Sequence, residues 1–335
     1  MHPVLESAAR RRGGVFTVAD ARRAGYRPDE IRAAVGSGAW HRLRRGIYVP
    51  APVWAAALGD DRARHLLAAV ATLTALGAGP VLSHSSAARS HGLVLPRTVD
   101  DVVRLTDPDH WRIGRGYRIA AAALPQEDVV DTGPFTVTGV ARTLVDCARE
   151  WSLVDAVVSI DAAIFEERVR RSDLTDVVLR QSHWLGIGAA ARAVGLSDGR
   201  AESPLETRGR LAMLEAGLPR PELQVELHGP RGFVARVDAW YADAGVAVEF
   251  DGCVKYDEPR GGRTPAEVAR EEKRREDRIR DLDVRVVRVV NADLPRLQGP
   301  VARLRELLAR PLAGPRRFRV VHRAEPGADA TGAVA

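Results

Sequence analysis

Cysteine, lysine and long apolar runs are what this 335-residue sequence has least of, and each scarcity excludes something. The two cysteines, Cys147 and Cys253, lie far apart and match no zinc-ligand spacing, so neither a disulfide scaffold nor a zinc module is expected and a reducing cytoplasm is the simple location. The most apolar stretch, Leu66 to Leu76, is too short to span a bilayer and is bounded by His65 and Gly77, which argues against a membrane protein. Met1 to Gly14 holds no apolar core of an export signal. Of 50 basic side chains only Lys255 and Lys273 are lysine, and both fall in one C-terminal segment.

What is present is arginine, unevenly placed. Residues 1–50 carry ten arginines against Glu6, Asp20, Asp29 and Glu30, a net of +6 that equals the charge of the whole chain. A basic end on an otherwise balanced protein predicts a polyanionic partner there, double-stranded DNA being the obvious one.

The N-terminal pattern fits that partner. Thr17 can cap a helix over Val18 to Ala24, with Asp20 closing a capping box and Gly25 as the stop. Pro28 opens a second helix through Val35, and Gly36-Ser37-Gly38 ends it. Trp40 to Arg44 and Ile47 to Val49 then read as two short strands around Arg45-Gly46. Helix, turn, helix and basic hairpin make a winged helix-turn-helix, in which Arg32 on the second helix and Arg42, Arg44 and Arg45 on the wing are the expected DNA contacts. Phe16 to Gly25, and Gly38 to Val49 with its Leu-Arg-Arg-Gly-Ile-Tyr ending, resemble the N-terminal domain of AbiEi-type antitoxins. The resemblance implies binding to the operon's own promoter and a nucleotidyltransferase-like toxin encoded nearby.

Residues 53–195 read as an α+β middle region, with helices over 61–76, 85–91, 141–150 and 154–168 and strands over 102–105, 117–120 and 135–137. Val81 to Gly92 and Ala141 to Arg149 resemble the middle portion of the same antitoxin-like proteins. His84, Ser85 and His91 lack a nucleophile elbow, so caps and packing explain them better than hydrolysis.

Gly195 to Arg200 reads as a linker to a domain over 200–312. Ser203-Pro204 starts a helix, and a strand over 224–227 follows. A hairpin comes next, with Asp238 closing one apolar run and Glu249 and Asp251 closing the other across the turn Asp243-Ala244-Gly245. Glu249 and Asp251, two apart, share a strand face. Three clustered carboxylates repel unless a cation intervenes, and Mg²⁺ (or Mn²⁺) suits oxygen ligands. A charged helix over 266–281, a strand over 284–290 and a helix over 302–308 complete an α-β-β-β-α-β order, and residues 313–335 form a tail expected to be disordered from about Glu325.

That order matches the restriction-endonuclease-like core. Glu202 to Arg208, Arg236 to Trp240, Val248 to Gly252 and Lys273 to Asp277 resemble a family related to very-short-patch-repair endonucleases, the PD-(D/E)xK proteins. The resemblance implies Asp238 and Glu249 as metal ligands beside Asp251, with Glu206 reaching the same ion or its water. The metal would activate a water and offset charge on the phosphate. Asp251 stands where the standard motif has lysine, which leaves Lys255 or Lys273 to supply that charge. The expected fold is thus mixed α/β. Two functions stay open: a Mg²⁺-dependent DNA endonuclease in a defence or toxin–antitoxin setting, and a non-enzymatic repressor or antitoxin whose nuclease fold is inactive.

Overall fold

A computed structural model of the chain describes residues 1–251, 274–312 and 316–326. Lys255, Lys273, Cys253 and the end of the tail therefore lie outside the described residues. The fold is mixed α/β, in two compact units: Met1–Ser159 with Ser172–Arg192, and Ile160–Arg171 with Ala193–Ala335.

The first unit opens with helix α1 (Pro3–Arg11), strand β1 (Phe16–Thr17), helices α2 (Val18–Arg23) and α3 (Pro28–Gly36), and the hairpin β2 (Trp40–Arg44) and β3 (Ile47–Pro50). Thr17 and Asp20 form the expected capping box, each satisfying the other's backbone N–H. Strand order is β1-β3-β2. Phe16 and Trp40 meet edge to face at 4.9 Å over Leu5 and Ile31, so α2 and α3 share one small core with the hairpin. Helix α1 escapes the sequence pattern because its arginines mask a short apolar face; Leu5 and Ala9 bury that face in the same core.

Helices α4 (Ala51–Ala57) and α5 (Asp61–Leu76) follow, then a six-stranded sheet in the order β6-β7-β5-β4-β9-β8. Its strands are β4 (Val81–Leu82), β5 (Val103–Asp107), β6 (Arg112–Gly114), β7 (Tyr117–Ala121), β8 (Val129–Asp131) and β9 (Thr136–Thr138). Helices α6 (His84–His91), α7 (Val140–Ala148), α8 (Leu153–Phe165), α9 (Arg171–Arg180) and α10 (Ile187–Leu196) complete the helical complement up to residue 196.

In the second unit, helix α11 (Pro204–Glu215) starts at Ser203, whose hydroxyl accepts the Glu206 N–H. Strands β10 (Glu222–Gly229), β11 (Gly232–Tyr241) and β12 (Val246–Asp251) form an antiparallel run, helical residues 274–280 (α12) follow, and β13 (Arg285–Val290) pairs parallel to β12. Helix α13 (Gln298–Leu308) packs on the same sheet face as α11, around Val246, Val248, Val289 and Leu304. The α-β-β-β-α-β order read from sequence is present in these elements.

Three details depart from the sequence reading. The expected linker at 195–200 is packed: Ser197 and Asp198 are buried, and the Asp198 N–H donates to Asp161 at 2.7 Å. The tail adds a fifth strand, β14 (Arg319–Val321), antiparallel to β10. Glu325, expected to be disordered, accepts from the Gly199 N–H at 2.7 Å and pairs with Arg171. A segment of eleven residues with only Phe318, Val320 and Val321 as large apolar side chains carries too little pattern to call a strand; an edge with free N–H and C=O groups on β10 supplies the reason it forms one.

Candidate functional site

The carboxylates named from sequence converge on one open cleft of ≈ 920 Å³ in the second unit, lined by Glu206, Asp238, Glu249 and Asp251 with Arg236 and Arg275. The hairpin register brings them there. Ala239 faces Val248 across the β11–β12 pair, and Asp238 and Glu249 are the next residues of their strands beyond it. The Asp238 Oδ2 caps that step by accepting the Phe250 N–H at 2.8 Å. Helix α11 comes close because Gly209 has no side chain: a Cβ there would stand 2.2 Å from the Phe250 ring. Glycine in mid-helix costs roughly 1 kcal/mol against alanine, so this close approach is its justification.

Glu206, Asp238 and Glu249 accept hydrogen bonds from protein donors. Glu206 accepts from the Ser203 hydroxyl (2.8 Å), the Glu202 N–H (2.9 Å) and the Gln224 amide (3.0 Å), so it finishes the cap of α11 as much as it faces the cleft. Gln224 reaches from there to Asp238 Oδ1 at 3.3 Å. Both oxygens of Glu249 accept from one guanidinium, that of Arg275, at 2.7 and 2.8 Å, and Arg275 also donates to the Arg236 carbonyl at 2.6 Å. Asp251 has Arg288 at 3.8 Å. Burial raises the pKa of Glu206, and the charge of Asp238 adds to it. Burial likewise raises Glu249; Arg275 opposes this, while Asp238 and Asp251 reinforce it.

In this arrangement the carboxylates face protein donors, so a divalent cation would have to displace Arg275 from Glu249. Among the described residues no group of three His, Cys, Asp or Glu side chains is placed to hold a metal ion. The physical reason is visible in the bonds: the bidentate arginine takes the coordination sites of Glu249, and the cap takes those of Glu206. Asp238, Glu249 and Asp251, the expected ligand set, line the same cleft.

Arg275 and Gln224 were invisible as site residues. Arg275 belongs to an Arg/Glu-rich run that reads as a solvated helix face with i,i+4 pairs; one such pair, Arg280 with Glu276, does form, but Arg275 turns into the cleft instead. Gln224 is 2% exposed with a left-handed φ of 52° on β10, a conformation costly for a non-glycine residue and held by its two carboxylate partners. A polar side chain between Leu223 and Val225 was the one available signal.

The N-terminal arginines separate into two kinds. Arg32, Arg42 and Arg45 are exposed. Arg44 is half-buried: its Nε donates to Thr72 Oγ1 at 3.0 Å, its Nη2 to the Arg115 carbonyl at 3.2 Å, and its guanidinium lies 5.4 Å from the centre of the Tyr117 ring. It ties the hairpin to the six-stranded sheet. No helix among the described residues is long and apolar enough to cross a membrane.

Two uncharacterized proteins of Mycobacterium tuberculosis, MT2308 and Rv2248, are each 36% identical over 165 residues, 49% of this chain. The match spans 58% of those curated relatives' length. The crystal structure of the RV2827C protein from the same organism aligns with a TM-score of 0.39 and 18% identity, covering 62% of this chain and 79% of that one. Residues 3–51 match the family described as transcriptional regulator, AbiEi antitoxin, so the chain carries at its N-terminus a regulator domain of the antitoxin type.

Proposed function

We propose that the chain is a DNA-binding transcriptional regulator of antitoxin type, and that its C-terminal unit is a nuclease-like frame in which Arg275 takes the place of a cation. The observation that carries the first half is the family match over 3–51, coinciding with a helix-turn-helix-hairpin that exposes Arg32, Arg42 and Arg45. The layout fits a second helix entering the major groove and a wing on the phosphates. A regulator so built binds duplex DNA from upstream of its own gene, with log affinity falling linearly in log salt. The test is fluorescence anisotropy with that DNA; no binding by the wild-type chain at low salt rejects the reading. The partner in this setting would be a nucleotidyltransferase-like toxin, and co-purification with the product of an adjacent gene tests it.

A second reading, metal-dependent DNA hydrolysis, is supported by one specific arrangement: Glu206, Asp238 and Glu249 around a single cleft, two of them with raised pKa values. It requires Arg275 to leave Glu249. Plasmid incubated with Mg²⁺ or Mn²⁺ tests it against Asp238→Asn and Glu249→Gln, and cleavage no faster than these variants removes it.

A further inference from the structure

The sequence 110–118, His-Trp-Arg-Ile-Gly-Arg-Gly-Tyr-Arg, contains three arginines and no acid, and it folds as a second hairpin within the first unit. Strand β6 pairs antiparallel with β7 through Arg112↔Ile119, Ile113↔Arg118 and Gly114↔Tyr117. The turn is tightly made. A Cβ at Gly114 would stand 2.2 Å from the Tyr117 ring, and Gly116 takes a φ of 74° that favours glycine.

Arg44 bolts this hairpin to the N-terminal one through the Arg115 carbonyl and the Tyr117 ring. Between the two lies an open cleft of ≈ 850 Å³, with Arg42, Arg44 and Arg45 on one wall and Arg115 and Gly116 on the other. Arg112 stands on the same side, its guanidinium 6.0 Å from the Tyr117 ring centre. The one acid lining the cleft among the described residues, Asp101, is drawn toward Arg89 at 3.4 Å. Among the described residues none of Arg42, Arg45, Arg112 and Arg115 has a carboxylate within ion-pair distance, and all four are exposed. Arg118 belongs to the same hairpin, but alternation puts it on the opposite sheet face, beside Ile113 and away from Tyr117.

Uncompensated arginines on two rigidly joined hairpins gain most from a continuous polyanion, because each phosphate neutralised releases a counterion. Their guanidinium forks match phosphate oxygens. We infer that the β6–β7 hairpin is a second DNA-backbone contact, in which Arg112 and Arg115 hold duplex phosphates alongside the wing arginines Arg42 and Arg45. This rests on the regulator reading, and extends the DNA interface beyond residues 3–51 into the middle region.

The test is the salt dependence of duplex binding by the full chain. Arg115→Ala should make the slope of log affinity against log salt shallower by about 1, and Arg112→Ala with Arg115→Ala by about 2. Arg118→Ala removes the same charge from the other face and should leave the slope unchanged. Lysine at 112 and 115 should restore most of it, since charge and not fold is at issue; unfolding midpoints of all variants check that fold. Equal slopes for Arg115→Ala and Arg118→Ala, or a wild-type slope in the double variant, overturn the inference while leaving the regulator reading intact. Failure of the wild-type chain to bind overturns both.

Discussion

Replacing Arg275 by methionine keeps a long apolar stem and removes the one cation that, among the described residues, is bonded to both oxygens of Glu249. The Glu249 side chain is 7% exposed and that of Arg275 35%. Two unit charges about 4 Å apart interact by about 4 kcal/mol at an effective dielectric near 20. Breaking a fully buried pair typically costs about 3–5 kcal/mol and an exposed one about 0–1. Because Arg275 is a third exposed, the expected loss at pH 7.5 is about 2 kcal/mol. Protonation caps it: Glu249 already has a raised pKa from burial, and without Arg275 it rises further. A carboxyl whose folded pKa exceeds its unfolded value contributes stability below the unfolded value that is lost as pH rises through the folded one. The variant should therefore approach wild-type stability as pH falls from 7.5 toward 5. A divalent cation should substitute for the guanidinium, so millimolar Mg²⁺ or Mn²⁺ should stabilise the variant more than the wild type, by up to about 2.7 kcal/mol at a hundredfold excess over Kd. Adding Asp238→Asn should blunt that gain. Urea denaturation at pH 5 and 7.5, with and without the cation, reads all three. A loss under about 0.5 kcal/mol, unchanged between the two pH values, would refute the claim that Arg275 is the cleft's counter-ion.

Two further outcomes follow from buried or half-buried pairs. Asp161 is 1% exposed, bonded to Arg210, Thr207 and the Asp198 N–H, yet burial outweighs these partners and holds its pKa up at about 6. Its raised value takes away stability as pH rises from about 4 to 6, on the order of 3 kcal/mol, and Asp161→Asn should flatten that part of the stability–pH curve; an unchanged curve would contradict it. Arg44→Ala should destabilise the first unit by about 1–2 kcal/mol, through its bonds to Thr72 and the Arg115 carbonyl, whereas Arg42→Ala with Arg45→Ala should leave stability within about 0.5 kcal/mol and weaken DNA binding. Calorimetry and anisotropy on the same samples separate the two effects, and the reverse pattern would show the roles misassigned.

Local rules were enough for much of the fold. The capping box at Thr17 and Asp20, the Ser203-Pro204 helix start and the turn at 243–245 each depend on residues within four positions of one another, and all three are in the structure. The acids at 238, 249 and 251 could be grouped because a hairpin register is set by its turn. Helix α1 and strand β14 could not be read, since the first hides its apolar face among arginines and the second owes its form to a neighbouring strand edge.

What the sequence determined by itself is a basic N-terminal helix-turn-helix-hairpin, an α-β-β-β-α-β unit and the identity of the acids facing one cleft. Only the tertiary structure decided what those charges do. Arg275, 26 residues beyond Glu249, occupies it. Arg44, adjacent to Arg45, turns inward while its neighbour faces solvent. Arg44 also meets the Arg115 carbonyl, 71 positions away in the chain. A charge pair or patch is fixed by distance and burial, and neither is a local property of the chain.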